Sequence, residues 1–138
     1  MSEPLCLARE EQRKTTGDWR RVALAALLCL GLAASSAARQ DRIAAGAAAL
    51  QRGDTAAARE AFQAAVRADE SSAVAWLGLS SAAQMEGDLT GALAAARRAA
   101  ILAPERAEAQ LALGRMLGRT GRTEEALAVF ARTRELAP

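Results

Sequence analysis

Residues 73–106 read AVAWLGLSSAAQMEGDLTGALAAARRAAILAPER, and the reading of this stretch decides the fold. Trp76, Leu79, Ser80, Gly87, Ala92, Ala99 and Pro104 stand in it in a fixed order. A shift of 34 positions in either direction brings the small residues back into register. Gly53, Gly87 and Gly121 coincide, as do Ala58, Ala92 and Ala126, while Asp54 matches Asp88 and Pro104 matches Pro138. A repeat of that length marks stacked helical units, each too small to bury its apolar face alone.

Local chemistry divides each unit into two helices. Glycine accepts the left-handed conformation that ends a helix, and the aspartates after Gly53 and Gly87 have a carboxylate to cap the next one. Arg122 has no such acceptor, which leaves Thr123 as the cap or a looser third turn. Pro104 stops the helix before it, and Glu105 suits the start of the next. At the first junction Glu70-Ser71-Ser72 replaces the proline, with Ser72 as the expected cap. These signals predict helices at 39–52, 55–68, 73–86, 89–102, 107–120 and 123–136.

Composition narrows the chemistry. Just over half of the 138 residues are hydrophobic, 51%, but only 3% are aromatic, so the helices must pack closely rather than around large side chains. Histidine and tyrosine are absent, which removes the commonest general base and metal ligand. No glycine-rich phosphate loop is present, and Ser80, Ser81 and Asp88 have no base at a readable spacing. Glu124-Glu125 reads as negative charge at a helix N-terminus. No catalytic, cofactor or metal site is expected. Net charge is +2, and residues 39–138 hold 13 basic and 12 acidic groups without a basic stripe, which argues against nucleic acid. Cys6 and Cys29 both precede the repeats, so no disulfide framework or zinc site is built there. Lysine occurs once, at Lys14, against many arginines, a bias associated with GC-rich bacterial coding.

Ahead of the repeats lie two further segments. Residues 1–21 are polar and mixed in charge, and Pro4 and Gly17 favour a disordered tail on the cytoplasmic side. Val22–Ala38 carries no charge, follows Arg20-Arg21 and precedes Arg39. Two main readings compete for it. A membrane anchor needs roughly 17–25 apolar residues, and the long polar leader favours this. A cleaved signal peptide needs a core of about 7–15, followed by small residues such as Ser36-Ala37-Ala38. A buried alanine-rich helix is the third reading. Both export readings place the repeats across the membrane from Arg20-Arg21.

The middle unit resembles a tetratricopeptide repeat (TPR) in Trp76, Leu79-Ser80, Ala92, Ala99 and Pro104. The third keeps Leu113-Gly114, Ala126, Phe130 and Pro138, with Gln110 at the aromatic position. The first keeps Gly46, Ala58, Phe62 and Ala65, with Arg42 and Glu70 at the aromatic and proline positions. The usual tyrosine is replaced by Ala49, Ala83 and Leu117. The resemblance covers about 100 residues, as units 39–72, 73–106 and 107–138. It implies an all-α fold, a right-handed superhelical stack of three helix-turn-helix repeats preceded by an N-terminal apolar helix. Phe62 and Phe130 are then expected to fill the gaps between a unit and its neighbour.

The family likeness also implies a concave groove that grips an extended peptide or a partner helix. Carried over by position, the groove presents Ile43, Ala47 and Leu50, then Val74, Leu77, Ser81 and Gln84. Glu108, Leu111, Arg115 and Arg119 complete it at a basic far end. Ile43, Leu50, Val74 and Leu77 also suit packing between helices, and the two arginines also suit a solvated face. Chaperone-binding relatives hold a terminal carboxylate with lysine and asparagine, but this chain has no asparagine and no lysine after Lys14. Leu127, Phe130 and Leu136 leave the last helix with one uncovered side, which points to self-association or a partner there. The expected function is a non-enzymatic scaffold or assembly factor of the bacterial envelope, anchored in the inner membrane with its repeats in the periplasm. A soluble periplasmic binder released by cleavage near Ala38 is the alternative.

Overall fold

The computed structural model describes the backbone of residues 4–136 and the side chains of 19–31 and 34–135. Its elements are α1 (Pro4–Gln51), α2 (Thr55–Ala68), α3 (Ala73–Glu86), α4 (Leu89–Leu102), α5 (Ala107–Arg119) and α6 (Thr123–Leu136). The chain divides into two units, Met1–Ala38 and Arg39–Pro138, and α1 contributes to both. From α2 onward each helix lies within one residue of its predicted bounds.

The first helix departs from expectation. Pro4 to Arg21 is helical rather than irregular, while Met1–Glu3 lie outside the described residues. Pro4 opens the helix, where its missing N–H removes nothing, so it does not act as a breaker. Within the first unit Val22, Leu24, Leu27, Leu28 and Leu30 are all at least 60% exposed, so this part of α1 is not a buried core helix. Trp19 is exposed as well, with the Arg20 guanidinium 5.8 Å from its ring centroid. The stretch Trp19–Gln51 is long and apolar enough to cross a membrane, with a mean hydropathy of 1.8 in its most apolar window. Its charge-free part is Val22–Ala38.

In the second unit the helices pack as neighbours in chain order, which is how stacked hairpins bury their faces. One turn is repeated three times. Gly53, Gly87 and Gly121 have φ of 76°, 83° and 79°. The N–H groups of Asp54, Asp88 and Arg122 reach back to the carbonyls of Ala49, Ala83 and Leu117 at 2.9 Å each. This closes the helix ends that precede them. Asp54 and Asp88 then accept from the N–H of Ala57 (3.1 Å) and Gly91 (2.8 Å), and Ser72 accepts from Ala75 (3.3 Å). Arg122 offers no such acceptor and pairs its guanidinium with both oxygens of Glu125, at 2.6 and 2.8 Å. Glu105 does not open α5; Arg106 holds that position without a side-chain cap and pairs with Glu108 at 3.5 Å. At the first junction Asp69 takes the N–H and hydroxyl of Ser71 at 3.0 and 2.5 Å and also pairs with Arg39. The Ser71 hydrogen bonds, then Arg39, hold the Asp69 carboxyl below the usual range.

The core is built mainly from alanine: 15 of the 19 buried hydrophobic side chains among the described residues. Larger groups fill the remaining space, and the two junctions use different ones. At the first, Phe62 packs with Ala49, Ala58 and Ala82. At the second, the positions 34 residues on hold Ala96 and Met116, and Met116 fills the gap against Ala83 and Ala92. The expectation that phenylalanine closes the gaps therefore holds at Phe62, while a methionine from the facing helix takes the part at the second junction. Phe130 sits instead against Gly114 of its own unit. Within the phenylalanine-free middle unit, the buried Ser80 hydroxyl donates to the Ala92 carbonyl at 2.8 Å and ties α3 to α4.

The aromatic position keeps its hydrogen bond without its ring. Trp76 donates its indole N–H to the Glu70 carbonyl at 2.9 Å. Gln110 donates Nε2 to the Pro104 carbonyl at 3.2 Å, across the same six-residue offset. Met116→Ala is expected to destabilise the repeats by about 2–4 kcal/mol in urea unfolding, since the short side chains of Ala83, Ala92 and Ala96 cannot reach into the void. Adding Ala96→Phe to that variant restores part of the loss, because it recreates the pairing at the first junction.

Candidate functional site

Helices α1, α3 and α5 place one face of their side chains around a groove of about 460 Å³. Ile43 and Ala47 come from α1, Val74, Leu77 and Ser81 from α3, and Glu108, Leu111 and Arg115 from α5. The spacing explains the convergence. Residues 43 and 47, 74, 77 and 81, and 108, 111 and 115 each follow the i, i+3, i+4, i+7 stripe of a helix face. Eight of the residues singled out from the sequence thus line a single surface.

Leu50, Gln84 and Arg119 do not line it. Leu50 turns inward and packs against the Ala49, Ala58, Phe62 and Ala82 cluster. Gln84 is half-buried near the end of α3, and Arg119 is exposed as the last residue of α5. All three lie in the last turn of a first helix, beyond the part of the stripe that faces the groove. Phe62, Gly78 and Ala112 line the groove without having been anticipated. The signal for Gly78 was present: it lies one turn from Val74, and with no side chain of its own it lets the Phe62 ring pack directly behind it.

Packing and groove lining are not exclusive. Ile43 packs on the clusters around Phe62 and Ala65, and Leu77 packs on the cluster around Ala99 and Ala109. Val74 and Leu111 are more open, 39% and 42% exposed. The floor is therefore apolar and fixed from behind. At the α5 end Glu108 pairs loosely with Arg106, and the exposed Arg115 has no carboxylate partner among the described residues. On α6, Leu127 is 63% exposed but Phe130 turns inward to Gly114; the side chain of Leu136 lies outside those described.

A concave face on the first helices of stacked hairpins, apolar at the floor, is the surface that a helical-repeat module presents. The family profile of the tetratricopeptide repeat matches residues 43–105 and 86–138, and the chain belongs to that family. Its repeats are a protein–protein interaction scaffold, and proteins of this family are in general not enzymes. No curated protein matches the chain. Among solved structures, a Thermobaculum terrenum O-GlcNAc transferase mutant matches with a TM-score of 0.70 and 23% identity over 75% of this chain. MamA matches with a TM-score of 0.68 and 26% identity over 72% of it. The chain spans 20% of the transferase and 58% of MamA. The second TPR domain of Spaghetti bound to the HSP90 peptide SRMEEVD matches at 0.69 and 18% identity, over 75% of this chain and 97% of that domain.

A Cβ at Gly78 would stand 2.1 Å from the Phe62 ring, so the ring cannot keep its place beside a larger residue. Gly78→Ala should lower stability by about 1–3 kcal/mol in thermal unfolding and displace Phe62 from the groove wall.

Proposed function

We propose that the repeats hold an extended peptide or a single helix of a partner protein in the groove of α1, α3 and α5. The observation that carries this reading is the apolar floor of Ile43, Val74, Leu77 and Leu111 ending at Arg115, which has no carboxylate partner among the described residues. Apolar side chains of the partner lie on the floor, and a carboxylate of the partner meets Arg115, with Arg119 one turn beyond it. The HSP90 peptide on the Spaghetti domain supports occupancy of this fold by a peptide. The lysine and asparagine carboxylate clamp is missing here, so the acidic group is met along the segment rather than at its terminus.

We propose a placement for the chain as well. Val22–Ala38 anchors the chain in the bacterial inner membrane, and the repeats act in the periplasm as an assembly scaffold of the envelope. The exposed leucines of this segment and its flanking arginines support that reading. A soluble periplasmic binder is the second reading, favoured by one observation: the repeat unit begins at Arg39, directly after Ser36-Ala37-Ala38. Cleavage there would release the repeats whole. Terminal sequencing of the protein from membrane and soluble envelope fractions decides between them. Retention of 22–38 in the membrane fraction supports the anchor, and a soluble product starting at Arg39 supports release.

For the groove, crosslinking from a photoreactive residue at position 111 is expected to capture a partner protein. Arg115→Glu is expected to weaken that partner's binding by about 3- to 10-fold, more strongly at low salt. Unchanged capture after Arg115→Glu and Val74→Asp together would place the partner elsewhere.

A further inference from the structure

A second cleft, of about 480 Å³, opens between α4 and α6 and shares no residue with the groove. Gln110 and Leu113 of α5 form its floor, Ile101 and Val129 its apolar sides, and Arg97 and Arg132 its rims. Ile101 is 70% exposed, an unusual place for a large aliphatic side chain. Neither arginine pairs with a carboxylate among the described residues.

The repeat explains the cleft. Gln110 occupies the position held by Trp76 one unit earlier, and both donate to the carbonyl six residues before them. At the first junction the indole fills the space against Ala65, Val66 and Ala75. At the second the amide keeps the hydrogen bond but brings no ring; Leu113, with Trp76 and Leu77, packs on the corresponding Ala99, Ala100 and Ala109, and the cleft opens beside Gln110. The rim differs as well: Arg97 and Arg132 correspond to Gln63 and Arg98, so only the second junction has arginine on both sides. The missing group is bulky and flat, and the charges around its place are positive.

We propose that this cleft is a second docking site, for an acidic peptide segment of a partner protein. An aromatic side chain of the segment inserts where the repeat lacks its own, and neighbouring carboxylates meet Arg97 and Arg132. The ring buries apolar surface against Ile101, Leu113 and Val129, and the two guanidinium groups supply charge-assisted hydrogen bonds. This assignment stands apart from the occupancy of the groove and does not need it.

The test uses the full chain in nanodiscs of zwitterionic lipid and a fluorescein-labelled peptide library. Each peptide carries one tryptophan or phenylalanine flanked by aspartate and glutamate, and binding is read by anisotropy. Binding is expected, weakening with salt, and lost on replacing the aromatic by alanine. Gln110→Trp fills the cleft with the side chain that the preceding unit already accommodates, so it should weaken binding about tenfold or more. Arg97→Gln and Arg132→Gln should each weaken it roughly threefold. Glu60→Gln, exposed on α2 and outside both clefts, should leave it unchanged. If Gln110→Trp alters the helical circular dichroism, Ile101→Glu provides the same readout from an exposed position. Full binding by a folded Gln110→Trp or Ile101→Glu variant, failure of every peptide to bind, or crosslinks across the cleft to a second copy of the chain would overturn the proposal.

Discussion

Close approach of helices is the constraint on which the repeats depend, because alanine buries little surface unless its neighbour comes almost to backbone contact. The packing shows how little room remains. A Cβ at Gly114 would meet the Phe130 ring at 2.5 Å, and one at Gly46 would meet Phe62 at 2.8 Å. Glycine against a ring, and alanine against alanine, let the hairpins draw together, and the few large side chains occupy what is left. The groove follows from the same constraint. Helices held at short range by their inner faces leave their outer stripes convergent, so Ile43, Leu77 and Leu111 approach one surface without special placement.

Much of this was legible in the chain. The glycine turns, the Asp54, Asp88 and Ser72 caps and the bounds of α2 to α6 follow from local rules that tertiary contacts do not override. What was not legible depends on partners far along the chain. Nothing near Met116 announces that it replaces Phe62, since the substitution is visible only when Ala82 and Ala96 are set beside it. Gln110 likewise looks like a lost aromatic until its amide is found on the Pro104 carbonyl. The groove was read by position within the repeat, and the positions in the middle of each helix lie on the lining of the cleft. Leu50, Gln84 and Arg119, in the last turns, lie outside that lining.

The three units are thus not copies. The turn is conserved in geometry, with the same backbone bond closing each hairpin at 2.9 Å, while the contents of the junctions vary. A connector that depends only on glycine and backbone leaves the interfaces free to change. Phe62 against Ala82 and Met116 against Ala96 are two solutions to one volume. Trp76 and Gln110 are two solutions to one hydrogen bond, and the smaller of them borders the second cleft.

The choice of Met116 has a mechanical consequence. A phenyl ring wedged between glycines at Gly46 and Gly78 has one orientation and resists displacement. An unbranched thioether has three rotatable bonds and keeps its contacts through several conformations. The joint behind Phe62 is therefore a stiff hinge, and the joint behind Met116 is a compliant one. The groove is thus lined at its α1 end by a ring held between glycines, while the interface behind α5 is filled by a thioether.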